Sequence, residues 1–131
     1  KLLDDMGLAY KDFGTNSEES CHYPIFGARA AKAVASGECE RGILICGTGI
    51  GMSLAANKVK GIRCVACSEP YSARLSRAHN NANMLAIGAR VIGPEMAKMI
   101  VGEFLNTAFE GGRHQVRVDM LTALENGEEI E

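Results

Sequence analysis

The residues best suited to chemistry form one short stretch, positions 46–51, which reads Cys-Gly-Thr-Gly-Ile-Gly and follows an apolar run at 43–45. An unbroken apolar run is typical of a strand buried on both faces of a parallel sheet. Open α/β sheets bind their ligands at the carboxyl ends of such strands. Because helix-forming residues follow at 53–58, the stretch predicts a strand, a glycine loop and a helix N-terminus that together bind an anion.

Two better-known phosphate loops do not fit this stretch. A dinucleotide fingerprint would need a third glycine at position 52, which is Met52, and a P-loop would need Gly-Lys-Ser/Thr after its spacer. Cys46 is a candidate base, since a helix N-terminus lowers the pKa of a thiol. A buried core cysteine and a plain tight turn remain the alternatives from the residues alone.

Composition narrows the class of protein. The chain has 131 residues, 47% of them hydrophobic, which suits one folded domain. A formal net charge of −2 gives no support to nucleic-acid or anionic-membrane binding, and no apolar run approaches the length of a membrane span. Five scattered cysteines favour a reducing cytoplasm. Cys64 and Cys67 lie an odd number of residues apart on a predicted strand, so they face opposite sides and form no zinc or redox pair.

The alternation of strands and helices predicts a doubly wound, flavodoxin- or Rossmann-like α/β fold: a parallel sheet with helices on both faces, in three αβα layers. The whole chain, 1–131, reads as a single domain that opens on the end of a helix at 1–7. Strands are predicted at 8–13, 43–46, 62–67 and 84–87, and helices at 24–36, 53–58, 71–79, from 94 onward and at 113–124. A polar loop is expected at 15–21 and a flexible acidic tail at 125–131.

Four further side chains are candidates. His79 ends a predicted helix, where imidazole can move protons near neutral pH or simply interact with the helix dipole. Arg113 and Arg117 share one helix face just after a glycine pair, a suitable place to hold phosphate. Arg90 is another phosphate candidate. The usual alternative for an exposed arginine is that it lies on a solvated surface and binds no ligand.

Six blocks in order carry a resemblance to a known family. They are residues 42–51, Ala55-Ala56-Asn57-Lys58, Tyr71-Ser72-Ala73-Arg74, His79-Asn80, residues 88–93 and Glu110-Gly111-Gly112-Arg113-His114. Together they resemble ribose-5-phosphate isomerase of the B type, whose family includes galactose-6-phosphate and allose-6-phosphate isomerases. The resemblance covers about residues 13–124.

The resemblance implies an aldose–ketose isomerase that converts ribose 5-phosphate to ribulose 5-phosphate through an enediolate, without metal or cofactor. It assigns Cys46 as the base and His79 as the group that opens the sugar ring. The residues themselves make Thr48 and the glycine loop the candidate oxyanion cradle, through backbone N–H groups and the Thr48 hydroxyl. Substrate contacts are implied for Tyr23, Gly47, Gly49, Ile50, Gly51, Asn80, Arg90, Arg113 and Arg117. His114 is interpreted as a bystander or interface residue.

The resemblance also implies a homodimer or homotetramer with sites at the subunit interface, and the apolar stripe Val116, Met120, Leu121 and Leu124 suits such an interface. Family members begin with a strand and an Asp-His pair, which would precede Lys1. We therefore expect a strand before Lys1 that lies between strands 9–13 and 43–46. His22 stands where many members have Asp. The alternatives are a hexose-6-phosphate isomerase within the class, and a non-catalytic nucleotide- or phosphate-binding module outside it.

Overall fold

The computed structural model describes residues 1–14 and 21–131, and in this part of the chain strands and helices alternate from β1 to α5. The predicted loop at 15–21 lies almost wholly outside the described residues. The elements are α1 (Leu2–Asp5), α2 (Tyr23–Ala35), β1 (Gly42–Cys46), α3 (Ile50–Asn57), β2 (Cys64–Ala66), α4 (Pro70–Ala78), β3 (Met84–Gly88), α5 (Pro94–Asn106) and α6 (Arg113–Glu125).

The three strands form a parallel sheet in the order β1-β3-β2, so the last strand of the chain lies in the middle. In a flavodoxin-type order, 2-1-3-4-5, the last three strands lie side by side in chain order, whereas here the connection from β1 to β2 passes over the position of β3. Cys46 pairs with Gly88, and Ala66 pairs with Ala86. The carboxyl ends of the strands therefore meet at one edge of the sheet, as the predicted α/β class requires.

Each face of the sheet has its own hydrophobic core, because side chains alternate along β3 and all five of its residues are buried. Met84 and Ala86 pack with residues of α2, α3 and β1 on one face. Leu85 and Ile87 pack with residues of α4 and α5 on the other, including the fully buried Phe104. The predicted three-layer αβα architecture is confirmed.

The two cysteines of the C-x-x-C sequence lie in different cores, as predicted. Cys64 packs on the α3 side of the sheet and Cys67 on the α4 and α5 side. Burial raises the pKa of Cys64 to about 12 and that of Cys67 to about 11; the Cys67 thiol adds to the first shift and the Glu69 carboxylate to the second. Both thiols are therefore protonated and unreactive near neutral pH.

The predicted strand at 8–13 is wrong: these residues form no strand. The residue types at 8–13 are a local signal, but a strand needs a neighbour for its backbone hydrogen bonds, and these residues pair with none in the described part of the chain. Lys11 instead forms an ion pair with Glu38 at 2.7 Å. Within the same part of the chain, β1 pairs only with β3, and Ile45 is 58% exposed. The strand expected before Lys1 stays a prediction.

Helix α6 lies on the surface of the domain with only His114 and Val118 buried. Its apolar stripe is exposed, with Val116 at 61% and Leu124 at 51%. The helix continues to Glu125, the first residue of the predicted tail, whose carboxylate accepts the Gly61 N–H at 2.8 Å; the flexible tail itself stays a prediction. None of the described helices is long and apolar enough to span a bilayer.

Gly88 and Gly102 allow a test of how close packing of the backbone affects stability. A Cβ at Gly88 would lie 2.6 Å from the Thr48 carbonyl carbon, whereas one at Gly102, inside α5, would meet nothing within 4 Å. We expect Gly88→Ala to lower the free energy of unfolding by about 1–3 kcal/mol. The control Gly102→Ala should raise it by up to about 1 kcal/mol, because alanine favours helix. Urea titration of both variants measures the difference, and equal midpoints would contradict it.

Candidate active site

Cys46 occupies the last position of β1, and its sulfur faces the start of α3. The Gly49 N–H donates a hydrogen bond to Cys46 Sγ at 3.1 Å. The backbone N–H groups of Thr48, Gly51 and Met52 also lower the pKa of this thiol. These groups belong to the turn before α3 and to its first residues, which have no partner within the helix. The sulfur therefore occupies the anion position of a helix N-terminus.

Opposing effects act on the Cys46 thiol. Partial burial is the largest single one and raises its pKa, because it removes water from the thiolate. The backbone donors of Met52, Gly49, Thr48 and Gly51 each lower it, and their combined effect is greater. The net pKa of Cys46 lies below the ordinary value for a thiol. The pKa values of the buried Cys64 and Cys67 are raised instead. A lowered pKa increases the fraction of Cys46 that is thiolate at neutral pH.

The turn depends on two glycines in close contact with the sheet. Gly49, the N-cap of α3, has φ +83°, and a Cβ on it would lie 3.1 Å from the Ile87 carbonyl carbon. At Gly88 a Cβ would collide with the Thr48 backbone. The loop therefore lies directly against the end of β3. The predicted loop is shorter than expected, because Ile50 and Gly51 already belong to α3.

Three more predicted residues lie at this loop. The Tyr23 ring lies over Gly51, so close that an added Cβ would be 2.8 Å from the ring. The Arg90 side chain lies along Gly47, and the Arg90 N–H donates to the Gly47 carbonyl at 3.0 Å. Thr48 Oγ1 accepts the Ile50 N–H at 3.2 Å, which leaves the hydroxyl hydrogen available to a ligand. We call Cys46, the loop, Tyr23 and Arg90 the thiol cluster.

The other predicted site residues lie elsewhere. His79 is the C-cap of α4 and is followed by the exposed Asn80, while Arg113 begins α6 and Arg117 lies one turn later, both exposed. The Glu110 N–H donates to the Ala78 carbonyl at 3.0 Å and joins the start of α6 to the end of α4. We call His79, Asn80, Arg113 and Arg117 the imidazole cluster.

The two clusters lie at opposite edges of the sheet. The thiol cluster lies at the carboxyl ends of β1 and β3. Helix α4 starts after the carboxyl end of β2 and returns antiparallel to the strands, so its last residue lies just before β3 begins at Met84. One chain therefore does not bring Cys46 and His79 to the same place.

Two residues without a predicted catalytic role join the imidazole cluster. The rings of His79 and His114 are stacked, with centroids 4.2 Å apart and planes at 10°. The two carboxylate oxygens of Glu110 lie 3.9 Å from His79 Nε2 and 3.6 Å from His114 Nε2. The residue pattern gives no signal for this contact, because 35 positions separate the two histidines.

These three side chains also offer ligand atoms within 4.8 Å of one another, a spacing that a metal ion could use. Ligand geometry argues against it. Nearly parallel stacked rings direct their nitrogen lone pairs along similar lines, whereas two histidine ligands of one zinc ion converge on it at roughly tetrahedral angles. The arrangement fits contact between rings better than it fits coordination.

A cavity of about 330 Å³ lies at the amino edge of the sheet beside α6, away from the thiol cluster. Asn80 of the imidazole cluster lines it, together with Arg63, Leu121 and Glu125. This cavity does not include the loop around Cys46, which is the candidate centre because of the chemistry of its sulfur.

The lowered pKa of Cys46 predicts the order in which the thiols react. Under limiting iodoacetamide, alkylation of Cys46 should rise with pH at lower values than for an ordinary thiol, because the thiolate is the nucleophile. Cys64 and Cys67, with pKa values of about 12 and 11, are internal controls that should stay unmodified in the folded protein. Peptide mass spectrometry across a pH series resolves each site. Equal rates at Cys46 and Cys64 would contradict the assignment.

Comparison with known proteins is consistent with this geometry. The family described as Ribose/Galactose Isomerase matches residues 1–121. Ribose-5-phosphate isomerase B of Escherichia coli is 57% identical over 94% of this chain and 83% of its own length. A D-erythrulose-4-phosphate isomerase of Pectobacterium atrosepticum is 45% identical over 96% of this chain and 84% of its own length.

A solved structure, the ribose-5-phosphate isomerase B of Clostridium thermocellum, superposes with a TM-score of 0.94 at 52% identity, covering 95% of this chain and 84% of that one. Matches of this extent, over both sequence and fold, set aside a non-catalytic binding module. The chain belongs to the ribose/galactose isomerase family and is a sugar-phosphate isomerase.

Proposed function

We propose that the protein interconverts ribose 5-phosphate and ribulose 5-phosphate through an enediolate, with Cys46 as the base. The observation that carries this is Cys46 Sγ at the end of β1, where it accepts the Gly49 N–H and backbone N–H groups at the start of α3 lower its pKa. The activity named for the Escherichia coli relative supports this choice of substrate.

In this scheme the Cys46 thiolate removes the proton from C2 of the open-chain aldose, and the electrons of that bond form the enediolate double bond. The same sulfur then returns the proton to C1 while the proton of the C2 hydroxyl passes to O1, which yields the ketose with its carbonyl at C2. Removing a proton next to a carbonyl needs a base of suitable pKa close to carbon. The lowered pKa of Cys46 serves this purpose.

The enediolate carries negative charge on oxygen, which needs donors already in place. The Gly49 N–H donates to the Cys46 sulfur, and Thr48 Oγ1 accepts the Ile50 N–H. The Thr48 hydroxyl hydrogen is then free to donate to the oxyanion, with Gly47, Gly49, Ile50 and Gly51 shaping the loop around it. Tyr23 and Arg90, which lie against this loop, contact the substrate, and Arg90 remains a candidate for its phosphate.

The imidazole cluster supplies the remaining steps. His79 passes a proton to the ring oxygen as the C1–O4 bond of the furanose breaks, and the C1 hydroxyl releases its proton to solvent as the aldehyde forms. Asn80 holds a substrate oxygen. Arg113 and Arg117 bind the phosphate, for which their guanidinium groups and the start of α6 are both suited. No step in this scheme calls for a metal.

We infer that the working site combines the thiol cluster of one subunit with the imidazole cluster of another, in a homodimer or larger homo-oligomer. The clusters lie at opposite edges of one sheet, so a second copy is the simplest way to join them. The exposed stripe on α6 (Val116, Met120, Leu121 and Leu124), next to the imidazole cluster, offers apolar area for that contact.

The choice of substrate can be tested directly. Purified full-length protein is given ribose 5-phosphate, galactose 6-phosphate, allose 6-phosphate and D-erythrulose 4-phosphate at matched concentrations, and kcat/KM is compared. The proposal expects the pentose phosphate to be preferred. A higher kcat/KM for a hexose phosphate, or for the tetrulose phosphate named for the Pectobacterium relative, would replace it.

Replacing the base should separate catalysis from binding. Cys46→Ala and Cys46→Ser should each lower kcat by about 10²–10⁴-fold, because removing a general base has an effect of that size. Serine should be nearly as poor as alanine, since a hydroxyl is much harder to deprotonate than a thiol. Binding of a substrate analogue should change little. The exposed Cys21→Ser is the matched control. A few per cent of residual turnover in either Cys46 variant would mean that another group is the base.

A site shared between subunits predicts complementation. Cys46→Ala and His79→Ala, each inactive alone, should regain about a quarter of the wild-type activity when their chains are mixed and exchanged at equal amounts. Half of the resulting dimers are mixed, and each mixed dimer has one intact site out of two. Mixing Cys46→Ala with Cys46→Ser is the control and should restore nothing. Failure of the first pair, with subunit exchange verified by tags, would place the whole site within one chain.

A further inference from the structure

Helix α4 does little to fix the orientation of the His79 side chain. His79 is the C-cap of α4, where its backbone N–H donates to the Leu75 carbonyl at 2.8 Å, but its imidazole has no hydrogen bond to the described residues. The side chain is 35% exposed. A catalytic group must nevertheless be held close to its productive orientation, because a displacement of about 1 Å can lower the rate by about 10²-fold.

His114 supplies the support that α4 lacks. It is the second residue of α6, its side chain is only 11% exposed, and its ring lies parallel to that of His79 at 4.2 Å. A buried ring in fixed contact restricts rotation of the outer ring about its side-chain torsions. The turn at Glu110, through its hydrogen bond to the Ala78 carbonyl, holds the two helices in the register that this stack requires.

The charges around the stack favour a neutral inner ring. Burial is the main cause that lowers the pKa of His114, and His79, Arg113 and Arg117 lower it further, while Glu110 opposes them. The groups facing His114 are thus one carboxylate, two guanidinium groups and the other imidazole. Two stacked imidazolium ions would repel each other, so an uncharged His114 leaves His79 free to take and release the proton.

We propose that His114 is a positioning residue for His79: its buried ring holds the His79 imidazole in the orientation needed to open the sugar ring, and Glu110 faces both rings from the α5–α6 turn. This inference rests on the proposed function, in which His79 opens the ring. His114 itself touches neither the substrate nor the reacting atoms in this account.

Two substitutions separate the flat ring from the polar nitrogen. His114→Phe keeps a ring to stack on and loses the nitrogen that faces Glu110. His114→Gln keeps a polar nitrogen and loses the ring. Gln115→Ala is the matched control, because Gln115 is the next residue on α6, is exposed, and contacts Asp119 and not His79.

The first measurement is kcat and KM for ribose 5-phosphate in the full-length protein. His114→Gln should lower kcat by about 10–10²-fold and change KM by less than about 3-fold, because the orientation of a catalytic group is lost and binding is not. His114→Phe should stay within about 3-fold of wild type, as should Gln115→Ala. Wild-type kcat in His114→Gln, or rescue by Gln and not by Phe, would overturn the proposal.

The second measurement does not depend on turnover. In protein with 13C-labelled histidine, the ring protons of His79 should resonate upfield because of the stacked ring. This shift should be lost in His114→Gln and retained in His114→Phe. Unchanged His79 resonances in His114→Gln would overturn the stack itself, even if that variant is less stable or His114→Phe does not fold.

Turnover of His79→Ala, measured alongside, distinguishes the ring-opening role of His79 from the positioning role of His114. Full turnover in His79→Ala would refute the role of His79 in the proposed function. Loss of turnover in His79→Ala together with full turnover in His114→Gln would refute only the positioning role of His114.

Discussion

The contact between the end of β3 and the turn after β1 is the constraint on which the site depends. β3 pairs with both other strands and is buried along its whole length. At its last residue, Gly88, the Thr48 backbone comes so close that no side chain fits between them. This contact fixes where the turn lies, and thereby where α3 begins and where its free N–H groups point. The Cys46 sulfur is at that point. Packing of the sheet and acidity of the thiol are therefore consequences of the same contact.

The direction of the helices explains why the candidate site is divided. In a parallel sheet each connecting helix runs opposite to the strands. The carboxyl ends of the strands and the carboxyl ends of α4 and α5 therefore lie at opposite edges of the sheet. Cys46 and the loop belong to the first kind, and His79 with the start of α6 belongs to the second. The position of the α6 stripe, exposed beside the imidazole cluster, agrees with a second copy completing the site.

Local patterns in the sequence predicted the structural features that are determined by residues adjacent in the chain. The apolar run at 43–45 and the glycines after it predicted β1, the turn and the setting of Cys46, because the signal for a strand, a turn and a helix start is local. The spacing of Cys64 and Cys67 predicted their separation onto two faces for the same reason. The strand at 8–13 failed because a strand is completed by a partner that its own pattern does not specify.

Other features depend on how distant parts of the chain meet. Nothing in the residues near 84–88 shows that this strand lies between the two earlier ones. The stack of His79 on His114 joins helix α4 to helix α6, and no periodicity links positions so far apart. His114 is one of the few buried polar residues of the described chain. Its residue type and position in the sequence nevertheless predict no catalytic role, because the contact with His79 is not local.

Division of the site between two edges has a consequence for how the enzyme responds to dilution. If each complete site needs two chains, folded monomers have both clusters and no activity. Activity per chain would then remain constant while the protein is concentrated and would fall in proportion to concentration once the subunits separate. The strength of the subunit contact would in this way set the lowest concentration at which the enzyme works, independently of how stable each folded chain is.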